Sequence, residues 1–170
     1  VYFFNNYFKQ AEAGSLDERK TRFKVIYQEL TGRIEDLPDA EIHVETIKEL
    51  NRVESIIGSI IGLFWAGSVY DLIDPESRVV VTQLAIKEFF TALSLTEPII
   101  LLIEDIQWLD NESLAVFEIL TRHIDNYPLI ILVCSRFNDD GSRPELKADD
   151  DVPCHEIALD RLSRDNTRAL

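Results

Sequence analysis

The spacing of apolar residues divides the chain into a helical first part and a strand–helix–strand second part. In residues 16–34 the apolar positions recur at helical spacing, which predicts a long amphipathic helix. Gly32 is expected to close or follow this helix, and Pro38 prevents its simple continuation. The apolar face consists of Phe23, Ile26, Tyr27, Leu30 and Ile34.

Two further helices are predicted before the first strand. One runs over residues 40–64, and its nearly all-apolar end predicts burial. A connector over residues 65–77 carries turn signals at Gly67 and at Asp74-Pro75. A strong helix then follows over residues 76–95. Its predicted buried face consists of Val81, Leu84, Ala85, Phe89, Ala92 and Leu93.

Two continuous apolar runs, residues 99–103 and 129–133, predict strands of a parallel sheet covered on both faces. Asp110 is a plausible N-cap of the helix between them, and Glu112 lies in its favourable first turn. Residues 126–128 are expected to end this helix. Its predicted buried stripe is Leu114, Phe117, Leu120 and Ile124. Strand, helix and strand together form a βαβ unit.

The end of the chain is more polar. Residues 138–151 predict an exposed loop, residues 154–159 a short third strand, and Ser163 the N-cap of a helix. The expected fold class is α/β: a layered domain with at least three parallel strands and a helical N-terminal part. We expect residues 1–75 to be mostly helical, 76–160 to be the α/β core and 161–170 to begin a further helical part.

Composition narrows the possible partners. The formal net charge of −14 repels phosphate backbones and anionic lipids, so direct binding to nucleic acid or membrane is not expected. Cys134 is expected to be a small core residue, and the presence of only 2 cysteines without metal-ligand spacing favours a reducing, cytoplasmic location. No stretch of about 20 apolar residues predicts a membrane span. Because Met is absent, the chain is expected to be a fragment.

An acid pair follows the first strand in the stretch EPIILLIEDIQWLDNESL. Glu104 and Asp105 lie at its carboxyl end, and Ser135 and Arg136 lie at the same end of the second strand. Ligands of open α/β sheets gather at this edge. If the strands are neighbours, one carboxylate can hold Mg²⁺, the other can orient or deprotonate a water, and the guanidinium can bind terminal phosphate.

Each of these residues also has a purely structural interpretation. An acid pair after a strand is often only a solvated turn, and Arg136 alone could be a surface ion-pair partner. Trp108 is expected to pack and shape the turn. Gln107 could orient a water or a phosphate, or be an ordinary polar turn residue. The combination of residues is therefore more specific than any one of them.

The segment EPIILLIEDIQWLDNESLAVFEILTRHIDNYPLIILVCSR resembles the Walker B to sensor 1 segment of the AAA-type ATPase domains of STAND signalling proteins. In that family the Walker B strand leads into an acid pair, then His or Gln, Trp and Asp, as in IILLIEDIQWLD. The sensor 1 strand ends in arginine, as in LIILVCSR. The later EIALDRLSRDNTRAL resembles the entry into the helical lid. The resemblance covers about residues 75–170.

The resemblance implies a P-loop NTPase-like three-layer sheet that binds ATP and Mg²⁺. Glu104 matches the acid that helps to hold Mg²⁺, Asp105 the acid that activates or positions water, and Arg136 the γ-phosphate sensor. Gln107 falls within the same nucleotide site. The magnesium position is more often Asp, so Glu104 is a departure that could weaken coordination, and the two acids could exchange roles.

The family also implies partners. Its members are modules of large bacterial regulators, beside cyclase, protein kinase, DNA-binding or tetratricopeptide-repeat domains. Nucleotide would switch such a module and gate the attached output domain, and it could also control oligomerisation.

The phosphate-binding loop of such a domain is missing from these residues. That loop reads Gly-x-x-x-x-Gly-Lys-[Ser/Thr], and none of the 6 glycines here is followed by lysine. We expect the loop to precede Val1, or else the module is degenerate and non-catalytic. Such a degenerate module would bind protein partners through its acidic face. A hydrolase that uses Glu104 and Asp105 as acid and base is a third hypothesis. Adjacent strand residues point to opposite faces, which makes a facing pair of carboxylates awkward.

Overall fold

The fold combines a helical N-terminal part with a small parallel sheet. It is that of a computed structural model, which describes residues 1–38, 40–125, 127–137, 140–144 and 146–159, with only the backbone of residues 40–43. The helices of the described residues are α1 (Tyr2–Tyr7), α2 (Leu16–Glu35), α3 (Ala40–Ile60), α4 (Val69–Leu72), α5 (Arg78–Thr96) and α6 (Asn111–Thr121). The strands are β1 (Ile99–Ile103) and β2 (Leu129–Val133). Short 3₁₀ turns occupy Gln10–Glu12 and Ile106–Trp108.

Helix α2 begins at a capping box. The Ser15 hydroxyl accepts from the Glu18 backbone N–H at 3.2 Å, and the Glu18 carboxylate accepts from the Ser15 backbone N–H at 3.1 Å. Gly32 does not close the helix, which continues to Glu35, so that prediction is wrong. A helical glycine costs only about 1 kcal/mol relative to alanine, and burial of Ile34 beyond it outweighs that cost.

Helix α3 ends earlier than the apolar pattern predicts. Gly62 adopts φ +75, and the Leu63 N–H donates to the Gly58 carbonyl at 3.0 Å, which is a Schellman motif. The chain therefore turns before Phe64, which is 57% exposed rather than helical and buried. The connector after it is not wholly irregular, because Ser68 caps the short helix α4.

The main core lies where α3 packs on α2 and α5. Helix α5 also packs on α6. Leu84 of α5 is 42% exposed, so the prediction that Leu84 belongs to the buried face is wrong. Phe90 is buried instead. The largest fully buried side chains include Phe8, Phe23, Tyr27, Leu30, Ile34, Leu50, Ile56, Ile57, Leu63 and Phe89.

Helix α5 is, in the part of the chain that the structure describes, the one helix long and apolar enough to cross a membrane by length and composition. The helix is not an unbroken apolar stretch, since Arg78, Lys87 and Glu88 lie within it. The most apolar window of α5 is 44% buried, and the helix packs against α2, α3 and α6. These contacts make α5 part of the helical core of the described residues.

Strands β1 and β2 pair in parallel with α6 between them, which confirms the predicted βαβ order. Asp110 caps α6, accepting from the Ser113 N–H at 2.7 Å, as predicted. The helix ends at Thr121, before the predicted end at 126–128, because the chain turns at His123 with φ 52. Phe117, Leu120 and Ile124 are buried, whereas Leu114 is only partly buried.

The sheet is smaller and more exposed than predicted. One face, with Ile99, Leu101 and Ile131, packs against the helical core. The other is uncovered within the described residues, and its side chains are 50% to 67% exposed. The predictions of a sheet covered on both faces and of a buried Cys134, which is exposed, are therefore wrong. The uncovered face consists of Ile100, Leu102, Ile130 and Leu132.

A third strand is also absent from the described residues. Residues 154–159 are exposed and have no regular structure. They pair with neither described strand, so no hydrogen bonds between strands hold them extended. The described part of 138–151 is a mostly exposed loop, as predicted. The predicted helix after Ser163, within residues 161–170, lies outside the described residues.

Candidate functional site

Backbone pairing of the two strands continues past their ends and brings the predicted site residues to one edge. The Cys134 N–H donates to the Ile103 carbonyl at 2.9 Å, and the Ile106 N–H donates to the Cys134 carbonyl at 3.2 Å. The segment that carries the acid pair therefore runs beside residues 134–136. The sequence-based expectation that both strand ends share one edge is confirmed.

Asp105 turns the chain at this edge. Its backbone is left-handed, with φ 55 and ψ 45, a conformation that few residues other than Gly, Asn and Asp adopt readily. The Asp105 carbonyl accepts from the Trp108 N–H at 2.9 Å, which closes the 3₁₀ turn, while Ile106 is buried and anchors it. The break in strand geometry means that Glu104 and Asp105 are not simple opposite-facing strand residues.

The side-chain amide of Gln107 connects the two strand ends. Its Nε2 donates to Asp105 Oδ1 at 3.0 Å, and its Oε1 accepts from Ser135 Oγ at 3.2 Å and from the Arg136 backbone N–H at 3.3 Å. Both ends of the amide are therefore used by protein groups. Of the four residues predicted for the site, the structure joins Asp105, Gln107 and the backbone of Arg136.

Glu104 and Arg136 lie at the same edge, but among the described residues their side chains make no hydrogen bond or ion pair there. Both residues are exposed, and neither takes part in an ion pair among the residues described. The second carboxylate oxygen of Asp105 has no hydrogen-bond partner within the same described ranges. Three charged groups thus remain available to a ligand.

The rest of the turn has structural roles. Trp108 is 82% exposed, so the prediction that its ring packs is wrong: its backbone, not its indole, shapes the turn. Hydrogen bonds from the Ser113 backbone, and then from its side chain, lower the pKa of Asp110. Asp110 is therefore ionised as a helix cap and is not a spare carboxylate for a ligand.

The acid pair fits Mg²⁺ only if a ligand supplies most of the coordination. No group of three or more His, Cys, Asp or Glu side chains within the described ranges could hold a metal ion by itself. Mg²⁺ differs from a structural metal in this respect, because it usually keeps several waters and binds one or two carboxylates together with substrate phosphates. Glu104 and Asp105 supply hard oxygen ligands of the appropriate kind.

An open polar cleft of about 480 Å³ lies elsewhere, between α6 and residues 146–150. Glu118 and Arg122 line it from the helix, and none of the predicted site residues does. These two side chains already pair with each other at 2.9 Å. The cleft therefore does not change the choice of candidate site, which rests on the chemistry at the strand ends.

Sequence reasoning placed Ser135 at the edge but gave it no role. In the structure the Ser135 hydroxyl has two acceptors within reach, Gln107 Oε1 at 3.2 Å and the Arg136 carbonyl at 2.8 Å, and its one proton serves one of them at a time. The signal was present in the sequence as a small polar residue directly before the arginine. The sequence does not show that the backbone of Asp105 is left-handed, and this conformation starts the 3₁₀ turn that carries Gln107.

Comparison of the chain with family models, with curated proteins and with solved structures finds no match. Its functional interpretation therefore rests on its own residues and their geometry.

Proposed function

We propose that this chain carries the metal-and-water half of an ATP site in a regulatory ATPase module of the AAA/STAND type. One observation supports the proposal most strongly. An exposed acid pair ends one parallel strand, and Gln107 ties Asp105 to the segment at the end of the neighbouring strand that carries Arg136. In this proposal the two strands belong to a larger P-loop NTPase-like sheet.

The proposed roles follow from the charges left free at this edge. Glu104 holds Mg²⁺ directly or through a water, and Asp105 orients or deprotonates the attacking water with its unbonded oxygen. The bound Mg²⁺ supplies charge neutralisation at the phosphate oxygens. Arg136 contacts the terminal phosphate, because a guanidinium matches phosphate oxygens in geometry and charge. The phosphate cradle comes from residues outside this chain.

In the parent protein, ATP binding and slow hydrolysis would gate an attached output domain. A cyclase, a kinase, a DNA-binding domain or tetratricopeptide repeats are the proposed outputs, and nucleotide-dependent oligomerisation is one proposed route of control. The proposed location is the cytoplasm.

The test uses the longer polypeptide in which a phosphate-binding loop accompanies this chain. We expect calorimetry to detect MgATP binding. Asp105→Asn should lower the ATPase kcat about 10²-fold or more, the usual loss for a positioned base, with little change in ATP affinity. Arg136→Ala should weaken ATP binding about tenfold and ADP binding hardly at all, because ADP lacks the phosphate that the guanidinium contacts.

Glu29→Gln is the matched control, since Glu29 is an exposed acid of α2 in the helical part. It should change none of these quantities. A polypeptide with an intact Gly-Lys-[Ser/Thr] loop that binds no MgATP in calorimetry would exclude the proposal.

A non-catalytic interaction module is the second candidate, and one observation favours it. The apolar sheet face of Ile100, Leu102, Ile130 and Leu132 is uncovered, and large exposed apolar patches often mark protein contacts. A parent sequence without Gly-Lys-[Ser/Thr] would favour this candidate over the first.

A further inference from the structure

Gln107 lies half-buried in the turn after β1 and makes the most specific set of polar contacts at the strand ends. Its amide makes one hydrogen bond backward to Asp105 and two across to Ser135 and Arg136. The contact at Arg136 is to the backbone N–H, so it is independent of where the guanidinium points. One side chain therefore joins the proposed water-positioning acid to the strand end that carries the proposed phosphate sensor.

The partners dictate the orientation of the amide. The Asp105 carboxylate can only accept a hydrogen bond when ionised, and the Arg136 N–H can only donate one. The amide must therefore place its NH₂ on Asp105 and its oxygen on Arg136. With both groups engaged, Gln107 is poorly placed to bind phosphate itself, in contrast to its expected membership of the nucleotide-binding set.

We infer that Gln107 is a positioning residue that couples the Arg136 segment to the Asp105 carboxylate. The consequence of this coupling for catalysis rests on the proposed function. The coupling itself is a property of the protein without nucleotide. A shift of residues 135–136 when the guanidinium engages phosphate reaches Asp105 through the Gln107 amide. The orientation of the acid then depends on whether the arginine is engaged.

The first experiment uses the 170-residue chain itself, by ¹⁵N NMR. Gln107→Leu removes all three hydrogen bonds, so the Arg136 amide signal should move and its hydrogen exchange should accelerate roughly fivefold, the factor for one average hydrogen bond. Gln107→Glu keeps an acceptor for the Arg136 N–H but loses the donor to Asp105. That variant should leave the exchange of the Arg136 amide nearly unchanged.

Coupling is measured by a double-mutant cycle. Asp105→Gly removes the carboxylate and tolerates the left-handed backbone, so it should shift the Arg136 amide signal without strain in the turn. In the Gln107→Leu background the same substitution should leave that signal unmoved. Gln28→Leu is the matched control, because Gln28 is an exposed glutamine of α2.

Two results would overturn the inference without reference to ATP. One is an Arg136 amide that is unaffected by Gln107→Leu. The other is an equal effect of Asp105→Gly on Arg136 with and without the glutamine.

The second experiment uses the nucleotide-binding polypeptide. Gln107→Leu and Gln107→Glu should each lower kcat at least tenfold with the ATP dissociation constant unchanged, and Gln107→Leu should add nothing to Asp105→Asn. If Gln107→Leu weakens ATP binding as much as it lowers kcat, Gln107 contacts the nucleotide and the positioning role is wrong. If the unsubstituted polypeptide binds no ATP, the proposed function fails, while the NMR cycle still decides whether Gln107 couples the two segments.

Discussion

The helical part of the molecule and its strand–helix–strand part bury their apolar residues very differently. In residues 1–96 the large side chains of α2, α3 and α5 interlock, and Phe8, Phe23 and Phe89 have no exposed surface. In the sheet, the described residues cover only one face. Leu102 and Leu132, on the other face, are at least half exposed although their strands are entirely apolar.

The difference shows where stability and where function are expected to reside. The helical part holds most of the buried core among the described residues, so its substitutions should act mainly on the free energy of unfolding. The end of the sheet carries the exposed acids together with Gln107 and Arg136, so substitutions at that end should act mainly on ligand chemistry. Measurements of stability after substitutions in each part test this difference in packing.

Phe89→Ala should have the largest effect. The Phe89 ring is fully buried and contacts the rings of Phe4, Tyr7 and Phe8 at centroid distances of 5.3 to 5.8 Å. Its removal leaves a cavity among rings that cannot collapse, so we expect a loss of about 3–5 kcal/mol in urea unfolding followed by circular dichroism.

Phe137→Ala is the matched control in the second part, where the ring is 63% exposed. It should change the free energy of unfolding by no more than about 0.5 kcal/mol. Similar losses for the two phenylalanines would mean that the parts do not differ in packing as described.

Gly58→Ala should have an intermediate effect, because α3 and the segment after it touch at this glycine. A Cβ there would lie 2.5 Å from Cζ3 of Trp65, closer than real contacts allow. The indole cannot move freely, since it packs on Phe23 at a centroid distance of 5.6 Å with Lys20 and Lys24 over it. Overpacking costs about 1–3 kcal/mol, more than the gain of up to about 1 kcal/mol from helix propensity.

Gly32→Ala measures the effect of helix propensity on the free energy of unfolding without a steric clash. Gly32 is also helical, but a Cβ there meets nothing within 4 Å. Thermal unfolding should therefore show stabilisation by up to about 1 kcal/mol for Gly32→Ala and destabilisation for Gly58→Ala. Stabilisation by both substitutions would contradict the close packing of α3 against Trp65.

How far the sequence predicted the structure differs between the two parts for a physical reason. Helical periodicity at Phe23, Tyr27 and Leu30 correctly predicted burial, because a helix face is defined by spacing alone. Both strands were also found at their predicted residues. A continuous apolar strand, however, does not show how many layers surround it, so the exposure of Cys134 was missed.

The residues of the candidate site could be predicted from the sequence, but the hydrogen bonds that join them could not. The position of Glu104, Asp105 and Arg136 at one edge follows from parallel pairing, which the apolar runs and the intervening helix predicted. The bridge through Gln107 depends on the left-handed backbone of Asp105 and on the register that brings residues 134–136 alongside. Neither of these follows from residue type and spacing.

Leu132→Thr should have the smallest effect, and it tests the uncovered face of the sheet directly. Leu132 is half exposed, and threonine is β-branched and therefore suits a strand, so we expect a change within about 0.5 kcal/mol in urea unfolding. Ile131→Thr is its matched partner one residue away, because the Ile131 side chain points to the opposite face and packs on the helical core. That substitution places a hydroxyl against apolar neighbours and should cost about 1–3 kcal/mol. If Leu132→Thr costs as much as Ile131→Thr, the second face is also buried in solution, and the contrast between the two parts of the molecule disappears.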